Sequence, residues 1–305
     1  MLRWRLLLGT LLIAALVGLC WLDHRAAAGL KGVWLAPVLV ALAVLATHEI
    51  LALESAVGLT PVPWVVYAGN LVVLATPWVA FLLRHGTDGS RPSGTAATPS
   101  AGHEVAMALA LMVILALVAE MRRYQRPGTV IVNTAAAAFA LSYVGLLLSF
   151  AIELRLRWGV GALASLLIVV KSGDSGAYFV GRLFGRHKMA PTLSPGKTIE
   201  GAFGACLFSV GASWAVFAWL VPLAREGASE AHRAATPWWA WIGFGLLVGG
   251  AGILGDLAES LLKRDSGRKD SSTWMPGLGG VLDVLDSVLV AAPVAYLFWS
   301  LGLVN

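Results

Sequence analysis

Long apolar runs constrain the fold of this chain more than any other feature of its sequence. The segments LLLGTLLIAALVGLCWL (6–22) and WLAPVLVALAVLATHEILAL (34–53) approach the ~20 apolar residues that the hydrocarbon core of a bilayer requires. Only 13% of the 305 residues are charged, whereas roughly 25% is usual in soluble domains. The sequence therefore predicts an all-α fold, a polytopic helix bundle integral to a membrane.

Nine apolar segments are candidate membrane spans, so we expect about nine transmembrane helices. They cover approximately residues 6–22, 33–53, 62–83, 104–120, 129–152, 158–173, 200–223, 237–255 and 280–303. The first segment is expected to persist as an uncleaved helix, because no convincing small-x-small cleavage site follows it. The glycines of GFGLLVGGAGILG (243–255) predict either close approach of helix backbones or a broken helix beside a site.

Basic residues predict the orientation of these helices. An N-terminus on the cytosolic side leaves fourteen Lys and Arg residues on the inner side and eight on the outer side, as the positive-inside rule favours. We therefore expect a protein of the cell inner (cytoplasmic) membrane with two charged cytosolic loops, 171–199 and 256–279. Residues 1–157 are predicted to form about five N-terminal spans, and residues 158–305 a C-terminal catalytic region.

Several common partners and frameworks are disfavoured by composition. The formal net charge of +5 comes from basic residues that flank apolar spans, which indicates membrane topology and no nucleic-acid partner. Cys20 and Cys206 both lie inside apolar runs without metal-type spacing. Neither a disulfide framework nor a zinc site is therefore expected.

Charge is concentrated in GDLAESLLKRDSGRKDSSTWMPGLGGVLDVLDS (255–287), which holds ten of the charged residues of the chain. In a helix, Asp256, Ser260 and Lys263 share one stripe, and Asp283 and Asp286 share one face. An ionised aspartate near a bilayer centre costs about 2.5–3.5 kcal/mol, so neighbouring aspartates require a compensating cation. Carboxylate oxygens without nearby His or Cys suit Mg²⁺, with Asp256, Asp283 and Asp286 as the expected ligands.

A structural alternative for these residues is open. Asp283 and Asp286 could cap a helix or form ion pairs with the basic residues of the loop, which are Lys263, Arg264, Arg268 and Lys269. Those basic residues could in turn anchor the chain at the membrane interface, although four within 263–269 favour phosphate binding. The second charged segment, 171–201, contains Asp174, Ser194 and Lys197 in a glycine-punctuated backbone that suits phosphate contacts.

Two segments resemble the signature blocks of the phosphatidate cytidylyltransferase (CDP-diacylglycerol synthase) family. They are SLLKRDSGRKDSSTWMPGLGGVLDVLDS and GDSGAYFVGRLFGRHKMAPTLSPGKTIEG. The resemblance runs from about residue 165 to 300; upstream it rests on hydropathy, with THEILAL (47–53) similar to a family segment that holds a glutamate. Two positions depart from the family pattern: Leu278 replaces a histidine and Val284 replaces an arginine, and both changes remove a donor to phosphate.

The resemblance implies an enzyme that transfers the cytidylyl group of CTP to phosphatidic acid of the inner leaflet, giving CDP-diacylglycerol and pyrophosphate. It implies that Asp256, Asp283 and Asp286 hold Mg²⁺, with a second cation left open, and that Lys263 acts beside them. The implied substrate-binding residues are Arg264, Lys269, Asp270, Ser260, Lys197, Ser194 and Asp174. Membrane lipid is the expected surrounding partner, and a homodimer is an open alternative to a monomer.

Other functions remain open from the residues alone. A CTP-dependent lipid-alcohol kinase of related architecture would share the metal and the nucleotide but transfer the γ-phosphoryl group. A transporter would use intramembrane carboxylates to carry protons or cations, but it commonly shows internal repeats, and this sequence shows none. A CDP-alcohol phosphotransferase is disfavoured because the D-x-x-D-G-x-x-A-R string is absent.

Overall fold

A computed structural model describes residues 14–15, 17–23, 32–85, 103–125, 127–224, 236–272 and 279–304. Eight helices within these ranges are long and apolar enough to cross a membrane. They are α1 (Ala36–Ala56), α2 (Pro63–His85), α3 (His103–Arg123), α4 (Val130–Trp158), α5 (Val160–Phe184), α6 (Ile199–Ala224), α7 (Trp238–Asp265) and α8 (Val281–Ser300). The chain is a multi-pass membrane protein, which confirms the predicted fold class.

These eight helices coincide with the last eight predicted spans. The first predicted span, 6–22, lies mostly outside the described residues, although residues 17–23 are helical. Two helices continue further than predicted, because α5 ends at Phe184 and α7 at Asp265. The first part of each predicted charged loop is therefore helical, and charged side chains in these turns pair with neighbours one turn away.

A short β-hairpin follows α5, in a segment predicted to be a loop. Strand β1 (Lys188–Ala190) pairs antiparallel with β2 (Ser194–Thr198), with Lys188 opposite Thr198. The Thr198 hydroxyl then accepts a hydrogen bond of 3.1 Å from the backbone N–H of Gly201. This hydrogen bond caps the first turn of α6 and fixes where the hairpin joins the helix.

The described helices divide into two compact units. The first unit comprises residues 1–156 and 265–282, and the second comprises residues 157–264 and 283–305. Residues 265–272 of the second predicted charged loop thus group with the N-terminal helices. The division after residue 157 that the sequence suggests remains a prediction.

The first unit buries polar side chains that satisfy one another. Arg155 Nε lies 2.5 Å from Asp23 Oδ2, and both side chains are buried. Asn70 Nδ2 donates to Thr47 Oγ1 at 2.7 Å, and this hydroxyl donates to a carbonyl oxygen of its own helix. Such pairs allow polar groups to lie inside apolar helices, because an unpaired polar group there costs several kcal/mol.

In the second unit, glycines bring helix backbones close together. A Cβ atom placed at Gly176 of α5 would lie 2.6 Å from the carbonyl oxygen of Gly204 in α6. Gly249 of α7 similarly faces the side chain of Ser209 in α6. Because α7 is one continuous helix, the glycine-rich segment favours close packing over a broken helix.

Candidate active site

The C-terminal half of α7 carries three ionisable residues on one face. Asp256, Glu259 and Lys263 are spaced i, i+3 and i+7, so their side chains lie on the same side of the helix. Glu259 is 0% exposed and Lys263 is also buried, whereas the Asp256 carboxylate is partly open. The apolar part of α7 is thus followed by a face of three charged side chains, two of which are buried.

The first turns of α8 bring two further carboxylates. Asp286 is buried, and its Oδ1 accepts hydrogen bonds from the backbone N–H of Ser287 at 2.5 Å and from the Ser287 hydroxyl at 3.0 Å. Carboxylate oxygens of Asp256, Glu259 and Asp286 all lie within 4.8 Å of one another. We call these three residues the carboxylate cluster. Carboxylates this close repel one another unless a cation or a proton offsets their charge.

Two lysines neutralise part of this charge. The ammonium group of Lys263 lies 2.5 Å from Asp283 Oδ1 and also forms an ion pair with Glu259. Lys197, from strand β2, places its ammonium group 2.8 Å from Asp256 Oδ2. The hairpin therefore brings a cation to the carboxylate cluster, and Lys263 joins the acidic residues of α7 to those of α8.

A third lysine approaches from α5. Lys171 Nζ lies 3.0 Å from Asp174 Oδ2 and donates to the carbonyl oxygen of Val284 at 3.1 Å. The hydroxyl of Ser287 lies 3.4 Å from Asp174 Oδ1 and 3.0 Å from Asp286 Oδ1. Helices α5 and α8 are thus connected through polar contacts beside the carboxylate cluster.

The described part of this site contains more acidic than basic side chains. It contains five carboxylates (Asp174, Asp256, Glu259, Asp283 and Asp286) and three lysines (Lys171, Lys197 and Lys263). With all eight groups ionised, the formal charge is −2. A divalent cation would offset this charge, and carboxylate oxygens are the ligands that Mg²⁺ prefers.

The structure groups the predicted ligands differently from the sequence analysis. It brings Asp256 and Asp286 together, as expected, but the third carboxylate beside them is Glu259. Asp283 lies against Lys263 instead, which is the ion-pair alternative that the sequence left open for this residue. Whether Asp283 also binds a cation remains a prediction.

Glu259 was not among the predicted site residues, although its spacing from Asp256 places it on the same helix face. The stripe through Asp256, Ser260 and Lys263 follows i, i+4 and i+7, but residues at i+3 lie on the same helix face as those at i+4. Ser260 is buried on α7, and its predicted contact with substrate remains a prediction. Glu259, one position before Ser260, is the residue whose carboxylate lies close to those of Asp256 and Asp286.

The remaining predicted residues have separate positions. Arg264 Nε donates to the carbonyl oxygen of Leu193 at 3.1 Å, which fastens the end of α7 to the hairpin turn, next to Ser194. Lys269 and Asp270 are exposed residues of the first unit, and their predicted contacts with substrate remain predictions. Leu278 lies outside the described residues.

A second buried carboxylate, in the first unit, was not among the predicted site residues. Glu49 on α1 accepts hydrogen bonds from the backbone N–H groups of Val281 at 2.9 Å and Leu282 at 2.7 Å, and from the Ser271 hydroxyl at 2.9 Å. It therefore caps the N-terminus of α8, where a negative charge is favoured. Gly280 leaves no room for a side chain at this cap, because a Cβ atom there would collide with both Glu49 oxygens and with Ser271.

Comparison with known proteins gives consistent matches. A model of the cytidylyltransferase family matches residues 3–301 of the chain. The phosphatidate cytidylyltransferase of Staphylococcus epidermidis is 38% identical over 161 residues, which are 52% of this chain and 57% of that protein. The protein of the same name from Haemophilus influenzae is 39% identical over 141 residues, which are 46% of each chain. That from Pseudomonas aeruginosa is 41% identical over 143 residues, which are 47% of this chain and 49% of the relative. The chain thus spans about half the length of the curated relatives it matches.

Proposed function

Because this chain belongs to the cytidylyltransferase family, we propose that it transfers the cytidylyl group of CTP to phosphatidic acid. A phosphate oxygen of phosphatidic acid forms a bond to the α-phosphorus of CTP, and the bond from that phosphorus to the oxygen bridging to the β-phosphorus breaks. The products are CDP-diacylglycerol and pyrophosphate. Since the attacking oxygen is already anionic, no serine or cysteine nucleophile is required.

The observation that carries this proposal is the carboxylate cluster of Asp256, Glu259 and Asp286. Three carboxylate oxygens from two helices, without histidine or cysteine, fit the donor set of a hard divalent cation. When bound there, Mg²⁺ would act as a Lewis acid that offsets the negative charge of the nucleotide phosphates. The protein's own part is to hold the carboxylates close together before substrate arrives, which removes the cost of assembling them during the reaction.

The lysines supply positive charge beside the carboxylates. Lys263 holds Glu259 and Asp283 in place, and Lys197 lies beside Asp256 at the open side of the carboxylate cluster. In this proposal Lys197 and Lys263 neutralise the triphosphate and the departing pyrophosphate, whose negative charge would otherwise be repelled by five carboxylates. Arg264 supports Lys197 indirectly, because it fixes the hairpin turn.

The proposal places the site at the cytosolic face of the cytoplasmic membrane, with the N-terminus in the cytosol. CTP is a cytosolic nucleotide, and the phosphate of phosphatidic acid lies at the membrane surface while its acyl chains remain in hydrocarbon. A site at the ends of membrane-spanning helices meets both requirements. The homodimer remains a prediction from the sequence.

The test uses the full-length protein purified in detergent with phosphatidic acid in mixed micelles. CTP labelled at the α-phosphorus should transfer its label to the lipid phase only when Mg²⁺ is present, with release of one pyrophosphate per labelled lipid. Transfer of label from γ-labelled CTP into lipid would instead identify a lipid kinase. Absence of any labelled lipid with either nucleotide would overturn the proposed function.

A further inference from the structure

Lys171 is a cation on a helix long enough to cross a membrane, and the proposed reaction as described gives it no role. It lies on α5 (Val160–Phe184) beside the carboxylate cluster, and an ionised side chain on such a helix commonly marks function. Its ammonium group has three N–H donors. Among the described residues, two acceptors meet them: the carboxylate of Asp174 and the carbonyl oxygen of Val284.

Exposure distinguishes Lys171 from the other two lysines of the second unit's site. The side chain of Lys171 is 45% exposed, compared with 19% for Lys197 and 10% for Lys263. Lys197 pairs with Asp256, and Lys263 pairs with Glu259 and Asp283. Lys171 is therefore the most accessible lysine of this group to an incoming anion.

The face of α5 around Lys171 indicates the kind of anion. Ser175, Tyr178 and Arg182 follow Lys171 at i+4, i+7 and i+11, and all are exposed, so they form one stripe along the helix. Arg182 donates to the Tyr178 hydroxyl at 2.6 Å. We call these four residues the polar stripe; it spans about 16 Å of the helix axis and has a cation at each end.

Apolar side chains accompany the polar stripe along one side. Ile168, Phe179 and Leu183 are exposed large hydrophobic residues of the same helix. On a membrane-spanning helix, such residues contact lipid acyl chains. A molecule that contacts this face at Lys171 would therefore meet a cation and apolar side chains together, which fits a phospholipid whose head is a phosphomonoester better than it fits CTP.

We propose that Lys171 binds the phosphate of the lipid substrate. Lys171 is the residue of the polar stripe that lies beside the carboxylate cluster. This inference rests on the proposed function, since it names the residue that receives phosphatidic acid. A phosphomonoester carries a charge of about −1.5 to −2 at neutral pH. Five nearby carboxylates would repel this charge unless an accessible cation met it, and Lys171 provides that cation.

The test compares Michaelis constants for the two substrates in mixed micelles of uncharged detergent. In Lys171→Gln, the KM for phosphatidic acid should rise about ten-fold or more, as loss of a charge-assisted hydrogen bond implies, while the KM for CTP changes less than about two-fold. Lys171→Arg should recover most of the affinity for lipid. Lys188→Gln removes an exposed lysine of the same unit, on strand β1, and should leave both constants unchanged.

A double variant separates headgroup binding from simple neutralisation of Asp174. If Lys171 only offsets the charge of Asp174, then Lys171→Gln combined with Asp174→Asn should return the KM for lipid to the wild-type value. If Lys171 binds the headgroup, that KM stays raised. Recovery in the double variant, or an equal rise in Lys188→Gln, would overturn the proposal.

A binding measurement distinguishes failure of this inference from failure of the proposed function. Without CTP, phosphatidic acid in micelles should raise the thermal unfolding temperature of the wild type more than that of Lys171→Gln, and soluble glycerol 3-phosphate should have a much smaller effect. An equal rise in both proteins would contradict the role of Lys171. Absence of CTP turnover in the wild type, with this lipid-dependent difference intact, would contradict the proposed reaction only.

Discussion

The two units of this protein bury carboxylates in different ways. Glu49 in the first unit accepts three hydrogen bonds from backbone and hydroxyl donors, so its charge is satisfied by groups that carry no net charge. In the second unit, Asp256, Glu259 and Asp286 face one another; Asp256 and Glu259 each pair with a lysine, and Asp286 accepts hydrogen bonds from Ser287. An isolated carboxylate satisfied by uncharged donors requires no further ligand, whereas carboxylates that lie close to one another repel and favour a cation between them.

This difference assigns different roles to residues of the same chemical type. Glu49 holds the start of α8 in place, because the N-terminus of that helix supplies its donors. In the proposed function, the carboxylate cluster instead provides the ligands of a divalent cation. Substitution of Glu49 should therefore change stability, whereas substitutions in the carboxylate cluster should change metal dependence and turnover.

The largest expected effect comes from Asp286→Asn. This change removes a negative charge from the carboxylate cluster while keeping nearly the same shape, so the protein should fold but lose its affinity for divalent cations. We expect CTP turnover to fall by roughly 10³-fold, comparable to the loss of a directly acting electrostatic group. Turnover with labelled CTP measures the effect. Activity within about ten-fold of the wild type would remove Asp286 from the metal site.

Lys263→Met should cause the next largest effect, and chiefly on stability. It leaves Glu259 and Asp283 buried without their cation, and breaking such a buried pair costs about 3–5 kcal/mol. Unfolding in mixed micelles with increasing sodium dodecyl sulfate measures the change. Adding Asp283→Asn to this variant should restore part of the lost free energy, because it removes one stranded charge. An unchanged midpoint for Lys263→Met would show that these ion pairs contribute little.

Glu49→Gln should lower the free energy of unfolding by about 1.5–3 kcal/mol, since the amide replaces an acceptor of charge-assisted hydrogen bonds with a weaker one. Stabilisation by added Mg²⁺ should persist in this variant. Glu54→Gln is a matched control on the same helix, because among the described residues neither oxygen of buried Glu54 has a hydrogen-bond partner. Equal losses in the two variants would contradict the capping role of Glu49.

The smallest of these effects is expected from Gly255→Ala. A Cβ atom at this position would collide with the carbonyl oxygen of Asp286 and lie 3.0 Å from the Cα of Ser287. The substitution should separate α7 from α8, cost about 1–3 kcal/mol and reduce turnover about ten-fold. Gly250→Ala on the same helix meets nothing within 4 Å and should keep full activity. Similar kinetics for both variants would show that this close approach does not position Asp286.

Most of the helical architecture could be predicted because apolar length is a local property of the sequence. The last eight predicted spans agree with the eight helices, and the family resemblance from the two charged segments is confirmed by the family match. The ends of α5 and α7 were predicted too early, since hydropathy alone cannot show that Lys171 pairs with Asp174 and Lys263 with Glu259. The β-hairpin was missed because its strands are short and β2 contains both a proline and a glycine.

The composition of the carboxylate cluster depended on tertiary contacts. Spacing alone placed Asp283 and Asp286 on one helix face, but it could not tell which of them would meet Lys263. Glu259 and Asp286 are distant in sequence, and only the packing of α7 against α8 brings them together. The cap formed by Glu49 likewise joins residues more than 200 positions apart, a pairing that no local pattern encodes.

The central claim is that Asp256, Glu259 and Asp286 bind a divalent cation. Titration of the purified protein with Mn²⁺, which shares the preference of Mg²⁺ for oxygen ligands, tests this directly through the electron paramagnetic resonance signal of the free ion. The account predicts saturable binding that Mg²⁺ displaces, that is lost in Asp286→Asn and that is retained in Glu49→Gln. Absence of binding to the wild type, or equally tight binding to Asp286→Asn, would contradict it.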